Sequence, residues 1–436
     1  MDLIFDIEGN GLLREVSKIW MLCAEDMNTG ITYDFCDYEP GCYPLREYKD
    51  LMYEAKSVTG HFILGYDLPA LEKVDGFILP KEVKVRDTLL MSQTLDYMRF
   101  GHDGHSLDRW GEYLGIPKPV HEVWTEYSEE MLHRCREDRR INKELYKILV
   151  AEFKTVFNRK PAIAQSLRNE HKCLEFVTRA EILGWPFDKP AAESLAKEIE
   201  AKMKVTSDWL EPKLPPIIRL ADPEIKEPKW TAKGEYHSHL TKYFDLEPGD
   251  GKSDFPTVVG PYMKINIIKP DMGSIEAVKN LLYSIGWVPD DWTWKKEGRA
   301  LIKKAPKLSS TSLALLGDIG EAVDKYYTLR SRLAMVEGWI KEVDSNGRVH
   351  GSCFLIGTPT GRSTHKGIVN VPGGEALYGT EIRKLFIAQP GHKLIGADSS
   401  GNQMRASMAL YKLCEFGEGL TANTERSLGD NTPLNV

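Results

Sequence analysis

The first nine residues have the hydrophobic pattern of a buried β-strand with a polar end. Positions 3, 4, 5 and 7 are apolar, and Asp6 and Glu8 fall between and after them. Because side chains alternate between the two faces of a strand, Asp6 and Glu8 share one face. Gly9 to Gly11 then provide a turn. The pattern predicts a strand that ends in two adjacent carboxylates, with a solvated edge strand as the alternative.

Strands and helices alternate through the first 155 residues. Further strands are predicted at 19–24, 31–35, 57–64 and 83–88, and helices beginning near 67 and 89 and spanning 105–115 and 129–153. The first three strands follow one another at hairpin spacing, which predicts an antiparallel start. The region is therefore predicted to be an α/β fold in which helices pack on a mixed sheet.

The rest of the chain is predicted to be mainly helical, with a proline-rich segment inside it and short strands at the end. Helical patterns are found at 160–210, with a break at 184–188, and again at 275–285 and 317–343. Residues 211–262 are rich in proline, which predicts an extended or flexible insertion. From residue 347 onward, short strands and glycine loops are predicted.

Composition places the chain among ordinary globular proteins. It has 436 residues, of which 42% are hydrophobic, and this length is typical of two or three domains. We find no apolar run long enough to span a membrane and no signal peptide, so we expect a cytoplasmic protein without a membrane partner. The seven cysteines are scattered, which argues against a disulfide framework or a zinc site.

The net charge of −7 does not by itself indicate a nucleic-acid-binding protein. Carboxylates gathered for metal binding nevertheless increase the acidic count, while phosphate contacts need only local basic patches. Two basic patches lie at residues 295–307 and 134–143. Each patch is interpreted either as a phosphate-binding surface or as a solvated face.

Four carboxylates of the first region are candidates for one metal site. Asp67 lies at the start of a predicted helix and Asp138 lies within the helix at 129–153, in the same α/β region as Asp6 and Glu8. Four such groups can hold two divalent ions about 3.5–4 Å apart, and such pairs hydrolyse phosphodiesters. The sequence therefore suggests nuclease chemistry.

The spacing of these carboxylates resembles that of the DnaQ-like (DEDD) 3′-5′ exonucleases. The segments Asp87-Thr88-Leu89 and His105 to Gly111 resemble the proofreading domain of phage-type family A DNA polymerases. The resemblance implies a ribonuclease H-like exonuclease domain at residues 1–158. It also implies two Mg²⁺ ions, replaceable by Mn²⁺, on the four carboxylates, and DNA as the partner, both as primer-template and as a single-stranded 3′ end.

Later segments follow the same family in order. They are Gly184 to Asp188, Ile285 to Pro289, Val349 to Ser352, Thr360 to Thr364, and Ile395 to Arg405, the last resembling polymerase motif A. The resemblance implies a mainly helical thumb at 159–345 and the start of an α+β palm at 346–413. It assigns a metal ligand to Asp398 and DNA contacts to Arg362, Gln403 and Arg405.

The chain departs from the family pattern at several positions. Phe62 stands where asparagine is usual, and Gln403 replaces a glutamate that shapes the sugar pocket. Arg134 replaces a tyrosine, and arginine cannot take a proton from water. His133 has the spacing of the histidine subclass and is the candidate general base. The alternative is that His133 is a surface residue and the exonuclease is weakened.

The family's fingers motif and second palm aspartate do not follow Arg405, and residues 414–436 do not resemble the family. We expect this tail to be disordered and the palm to be incomplete, so that the chain alone does not synthesise DNA. A second chain would complete the palm. The insertion at 211–262 would bind a processivity factor or form a free surface loop. A catalytically silent DNA-binding fragment is the alternative function.

Overall fold

The computed structural model describes residues 1–101, 103–119, 121–225, 230–238, 240, 262–297 and 300–396. Chain contacts divide the protein into two units, Met1–Phe386 and Ile387–Val436. Most of the predicted motif A, including Asp398, Gln403 and Arg405, lies outside the described residues, as does the tail at 414–436. The architecture below concerns the first unit.

Thirteen strands and eleven helices lie in the described part of the chain. The strands are β1 Asp2–Gly9, β2 Ile19–Asp26, β3 Thr32–Cys36, β4 Ser57–Gly60, β5 Lys84–Asp87, β6 Trp185–Pro186, β7 Ile217–Ile225, β8 Tyr262–Ile268, β9 Trp292–Glu297, β10 Ala300–Pro306, β11 Arg348–Val349, β12 Ser352–Phe354 and β13 Thr364–Lys366. The helices are α1 Tyr48–Tyr53, α2 Asp67–Asp75, α3 Thr88–Leu95, α4 Leu107–Leu114, α5 Glu129–Arg159, α6 Ile163–Leu183, α7 Lys189–Leu210, α8 Ile275–Ser284, α9 Ser310–Leu313, α10 Gly317–Glu342 and α11 Gly379–Lys384.

The first five strands form one mixed sheet in the order β3-β2-β1-β4-β5. Strands β1, β2 and β3 pair antiparallel, whereas β4 and β5 add in parallel on the other side of β1. Parallel strands need crossover connections, and α2 lies in the connection between β4 and β5. The mixed α/β class predicted from the sequence is confirmed.

The central strand β1 is buried on both faces, and its side chains point alternately to the two sides of the sheet. Leu3, Phe5 and Ile7 join the hydrophobic core that also contains Tyr48 of α1 and Leu71 of α2. The side chains between them face the opposite side, where α5 packs against the sheet. Strand alternation therefore places Asp6 and Glu8 beside α5.

Helix α5 is anchored to this face by apolar side chains and by one polar contact. Leu132 and Cys135 pack against Trp20 and Cys23 of β2. The Cys135 thiol also donates a hydrogen bond to the Asp6 carbonyl oxygen, with Sγ and O 3.4 Å apart. One turn later on the helix, Asp138 is brought to the same end of β1.

Strand β5 continues directly into α3, whereas a short loop separates the end of β4 from α2. Asp87 caps α3, because its carboxylate accepts hydrogen bonds from the backbone N–H groups of Leu89 and Leu90 at 3.0 and 3.2 Å. Helix α4 ends at Gly115, whose φ of +68° is the left-handed conformation that glycine favours. These short connections bring α2, α3 and α4 to one end of the sheet.

The region after residue 160 is built around α7 and α10. Ile199 of α7 packs with Leu329 and Val336 of α10 in one core, to which α11 also contributes. A second core lies near the other end of this pair, where Leu282 of α8 and Trp287 are buried. Backbone approach is close at Gly320 of α10, where an added Cβ would lie 2.0 Å from the Leu313 carbonyl oxygen.

Two β-hairpins lie in this region. Strand β7, within the proline-rich segment, pairs antiparallel with β8. The basic segment near residue 300, for which no element was predicted from the sequence, forms the hairpin β9–β10. In the first region, strand β4 is shorter than predicted and ends at Gly60. No helix in the described part of the chain has the length and apolar character to cross a membrane.

Candidate metal centre

Three of the four predicted carboxylates meet at the end of β1. Asp6 and Glu8 on β1 and Asp138 on α5 each offer a carboxylate oxygen, and these three oxygens lie within 4.8 Å of one another. Glu8 and Asp138 are buried and Asp6 is partly buried. The strand alternation and the helix position predicted from the sequence therefore bring these three groups together.

Asp67, the fourth carboxylate, borders the same site from α2. It is the first residue of that helix and is buried. Its carboxylate lines the same depression as the other three groups but is not part of the close cluster of oxygens. The backbone N–H groups of Asp67 and Ile7 act to lower its pKa, against the effect of burial. Asp67 is thus placed to act as an outer member of the group.

A surface depression of about 450 Å³ gives access to the carboxylates. Its walls include His61, Phe62, Leu89, Ser106 and Leu107, from the ends of β4, α3 and α4. The lining is partly apolar, and it also contains the four acids together with Lys118 and Arg134. The depression therefore combines charged groups with surfaces against which a planar or apolar group can pack.

Burial and mutual repulsion make these acids hold protons when no cation neutralises them. Burial, followed by the charge of Asp138, raises the pKa of Glu8 from 4.5 to about 8. Burial also raises the pKa of Asp67 to about 7, and it raises the pKa of Asp6 well above its ordinary range. A positive charge beside these carboxylates therefore stabilises their ionised forms.

Two basic side chains supply part of that charge. The Lys118 ammonium lies 2.6 Å from Asp138 Oδ2, and the two side chains are only 15% and 5% exposed. Arg134 Nε lies 3.6 Å from Glu8 Oε1 and 3.8 Å from Asp138 Oδ2. Burial raises the pKa of Asp138, while Lys118 and Arg134 act to lower it.

The donor set fits a hard divalent cation. Asp138 Oδ1 is buried and has no hydrogen-bond partner among the described residues, although Oδ2 of the same group is paired. A buried carboxylate oxygen without a partner is unusual in a folded protein. Oxygen ligands are those that Mg²⁺ and Mn²⁺ prefer. Asp6, Glu8 and Asp138, with Asp67 beside them, are the residues that would hold such an ion.

The structure does not bring His133 to this group. His133 is exposed on α5 and does not line the depression, whereas Arg134 does. Residues four apart share a helix face, so Arg134 lies over Asp138 and its neighbour His133 points elsewhere. The prediction of His133 as the general base is therefore not supported by the geometry, and the surface alternative describes its position.

Phe62 adopts a backbone conformation that suits the asparagine expected there better than an aromatic residue. Its φ is +61°, in the left-handed region that bulky side chains seldom occupy. The turn is held by Asp87, which accepts hydrogen bonds from the N–H groups of Phe62 and Leu64 at 3.2 and 3.3 Å. The ring lies across Gly65, where an added Cβ would fall 2.1 Å from it.

Lys118 was not identified from the sequence. It lies in the segment after α4, outside the regular elements, between Pro117 and Pro119. Neither hydrophobic periodicity nor a family motif singled it out. The available signal was a lysine held between two prolines, which fix the neighbouring backbone.

Of the predicted DNA-contact residues, Arg362 lies in the described part of the chain. Arg362 is exposed in the turn between β12 and β13, and its backbone N–H donates to Thr358 Oγ1 at 3.1 Å. It does not line the depression. Its assignment to DNA binding remains a prediction.

The two basic patches differ in how their charges are used. On α5, Arg136 and Arg139 both pair with Asp34 of β3, and Lys143 pairs with Glu25. These contacts attach the helix to the sheet, so that patch is largely neutralised. In the patch near the β9–β10 hairpin, Lys295 pairs with Glu297 and Lys307 pairs with Asp291. The Lys303 ammonium lies 5.2 Å from the ring centre of Trp292.

Known proteins resemble this chain over nearly its whole length. The DNA-directed DNA polymerases of Enterobacteria phage T3 and Escherichia phage T7 are each 24% identical to it, over 95% of this chain and 70% of the phage enzyme. DNA polymerase I of Treponema pallidum is 42% identical over 69 residues, which are 15% of this chain and 7% of that protein. No protein-family model matches the chain.

A solved structure shares the fold. The POL domain of Pol1 from M. smegmatis, in complex with DNA primer-template and dNTP, has a TM-score of 0.60 at 15% identity. The match covers 94% of this chain and 59% of the chain of that structure, so the present protein spans under two thirds of it. Together with the phage enzymes, this match confirms the predicted resemblance to the phage-type family A DNA polymerases.

Proposed function

We propose that residues 1–158 form a metal-dependent 3′-5′ exonuclease within a polymerase-type chain that binds DNA. The observation that carries this proposal is the meeting of Asp6, Glu8 and Asp138, with one buried carboxylate oxygen left unpartnered. The likeness to phage DNA polymerases supplies the substrate class. Residues 159–345 and 346–413 would serve as the thumb and the beginning of the palm.

The chain's own residues would bind and orient the end of a DNA strand. Asp6, Glu8, Asp67 and Asp138 would hold Mg²⁺, or Mn²⁺ in its place. When bound, such a metal activates water and stabilises charge on the leaving oxygen. The apolar wall near Phe62 and Leu107 would support the terminal nucleotide. Arg134 remains charged and would act on the phosphate rather than as a base.

Two observations support the proposal that the residues after 158 also bind DNA. The M. smegmatis domain that shares this fold was solved with a primer-template. The β9–β10 hairpin also presents Lys303 beside Trp292 and Trp294, with Trp294 52% exposed. Basic and aromatic side chains together suit nucleic-acid backbones and bases.

The proposal is tested with a single strand labelled at its 5′ end. We expect the full chain with Mg²⁺ or Mn²⁺ to produce a ladder that shortens from the 3′ end, and chelation to stop it. Asp6→Ala removes a ligand and should abolish the ladder. Asp208→Ala, which removes an exposed aspartate on α7, is the matched control and should not change it. A ladder that survives Asp6→Ala would place the activity elsewhere.

A catalytically silent DNA-binding chain is the second candidate. The engagement of Lys118 and Arg134 with the carboxylates favours it, since cations already occupy part of the centre. In that case the chain would retard a primer-template in a gel but give no ladder at any concentration of Mg²⁺ or Mn²⁺. The two readouts separate the candidates in one experiment.

A further inference from the structure

Lys118 lines the depression beside the carboxylates and pairs with one of them, Asp138. Its ammonium lies 2.6 Å from Asp138 Oδ2, which is a contact as short as a strong charge-assisted hydrogen bond. With a side chain only 15% exposed, Lys118 has given up most of its hydration to make this contact. Exposed pairs such as Lys147 with Glu144, where the lysine is 57% exposed, involve no such loss.

The backbone on both sides of Lys118 is restricted. Pro117 and Pro119 precede and follow it, and each fixes its own φ. Arg134 donates a hydrogen bond from Nη1 to the Pro119 carbonyl oxygen at 2.9 Å. The Arg134 guanidinium also lies 5.2 Å from the ring centre of Trp124. Arg134 is therefore hydrogen-bonded to the same short segment that carries Lys118.

The charges of the site favour a single divalent ion. The four carboxylates that line the depression would carry four negative charges when ionised, and Lys118 and Arg134 contribute two positive charges. The remainder is two negative charges, which one divalent ion neutralises. The free oxygen Asp138 Oδ1 offers that ion a ligand, whereas Oδ2 is already engaged.

We propose that Lys118 replaces one of the two metal ions expected from the sequence. The centre then binds one divalent ion through Asp6, Glu8 and Asp138, with the Lys118 ammonium at the second position. This inference rests on the proposed metal centre and changes its composition. An ammonium has three donors, so Lys118 can hold Asp138 and still donate to an oxygen of the DNA phosphate.

Binding of Mn²⁺ to the full chain tests the proposal without reference to activity. The free Mn²⁺ signal in electron paramagnetic resonance gives the number of ions bound, with the same pH for every variant because metal binding displaces protons from its ligands. We expect one tightly bound ion in the wild-type chain and two in Lys118→Met. Lys147→Met removes an exposed lysine on α5 and should leave the number at one.

Two ions in the wild-type chain would overturn the proposal, and so would none. If Lys118→Met folds poorly by circular dichroism, Lys118→Gln keeps a polar side chain and is used instead. A count that stays at one in the folded variant would also overturn it. The labelled-strand assay distinguishes this failure from that of the proposed function. One ion without a ladder refutes the exonuclease alone, and two ions with a ladder refute the role of Lys118 alone.

Discussion

Replacing Glu8 with glutamine should stabilise the metal-free protein, and increasingly so as the pH rises. The reason is that burial and neighbouring charge raise the pKa of Glu8 from 4.5 to about 8 in the folded chain. A group with a raised pKa stabilises the fold fully below its unfolded pKa and loses that contribution as the pH rises through the folded value. Glutamine does not titrate and avoids this loss.

The size of the effect follows from the shift. Between pH 4.5 and about pH 7 the folded protein keeps a proton on Glu8 that the unfolded chain releases. Each pH unit in this interval is worth about 1.4 kcal/mol, so the wild type loses about 3 kcal/mol relative to Glu8→Gln. Little of this is screened by solvent, because the side chain is only 11% exposed. If residues 1–158 unfold as one domain, a change of this size shifts the melting temperature by roughly 6–12 °C.

Scanning calorimetry with chelator present measures the difference. We expect Glu8→Gln to melt near the wild type at about pH 4.5 and well above it at about pH 7. Saturating Mn²⁺ should close the gap, because only the wild type retains the ligand. Glu144→Gln, at an exposed position on α5, is the control and should change little at either pH. A gap independent of pH would refute the reasoning about Glu8.

Two further predictions concern the metal and the fold. Affinity for Mn²⁺ should rise between about pH 6 and pH 8, because Glu8 and Asp67, whose pKa values are raised, must lose protons to bind the ion. The expected rise is roughly tenfold per pH unit for each proton displaced. Calorimetric titration across this range measures the affinity, and a flat profile would contradict the prediction. Gly320→Ala should lower the free energy of unfolding by about 3 kcal/mol, since the new Cβ would lie 2.0 Å from the Leu313 carbonyl oxygen. Gly338→Ala, in the same helix with open space around it, should instead raise stability by up to about 1 kcal/mol in the same urea titration.

The parts of the site that follow from local periodicity were predictable. Alternation along β1 places Asp6 and Glu8 on one face, and the helical pattern after residue 129 carries Asp138. Both depend on neighbours within a few residues. The mixed sheet followed from the hairpin spacing of three strands and from helices between the others. The meeting of β1 with α5 then needed only the packing of a helix on the sheet.

The parts that depend on tertiary packing were not predictable. Sequence spacing made His133 a candidate base, but the rotation of α5 is set by Leu132 and Cys135 against β2, and this turns Arg134 toward the site. Lys118 lies in an irregular segment 20 residues before its partner Asp138, where no periodicity indicates a contact.

The missed hairpin has a different cause. Residues 292–294 alternate tryptophan with threonine, which is a strand pattern, but the lysines that follow predicted only a basic patch. The prolines of 211–262 predicted an extended or flexible segment, and in β7 only Pro223 falls within the strand, at an irregularity of its register. Proline is tolerated at such positions.

We propose that Asp6, Glu8 and Asp138 form the metal centre of a 3′-5′ exonuclease. The most direct test is the rate at which the full chain shortens a 5′-labelled single strand with Mg²⁺, compared between Asp138→Asn and the matched surface variant Asp208→Asn. We predict that Asp138→Asn loses more than about 100-fold in rate, since even residues that only support metal ligands contribute about 10–100-fold. Asp208→Asn should retain the wild-type rate. Equal rates in the two variants would contradict it.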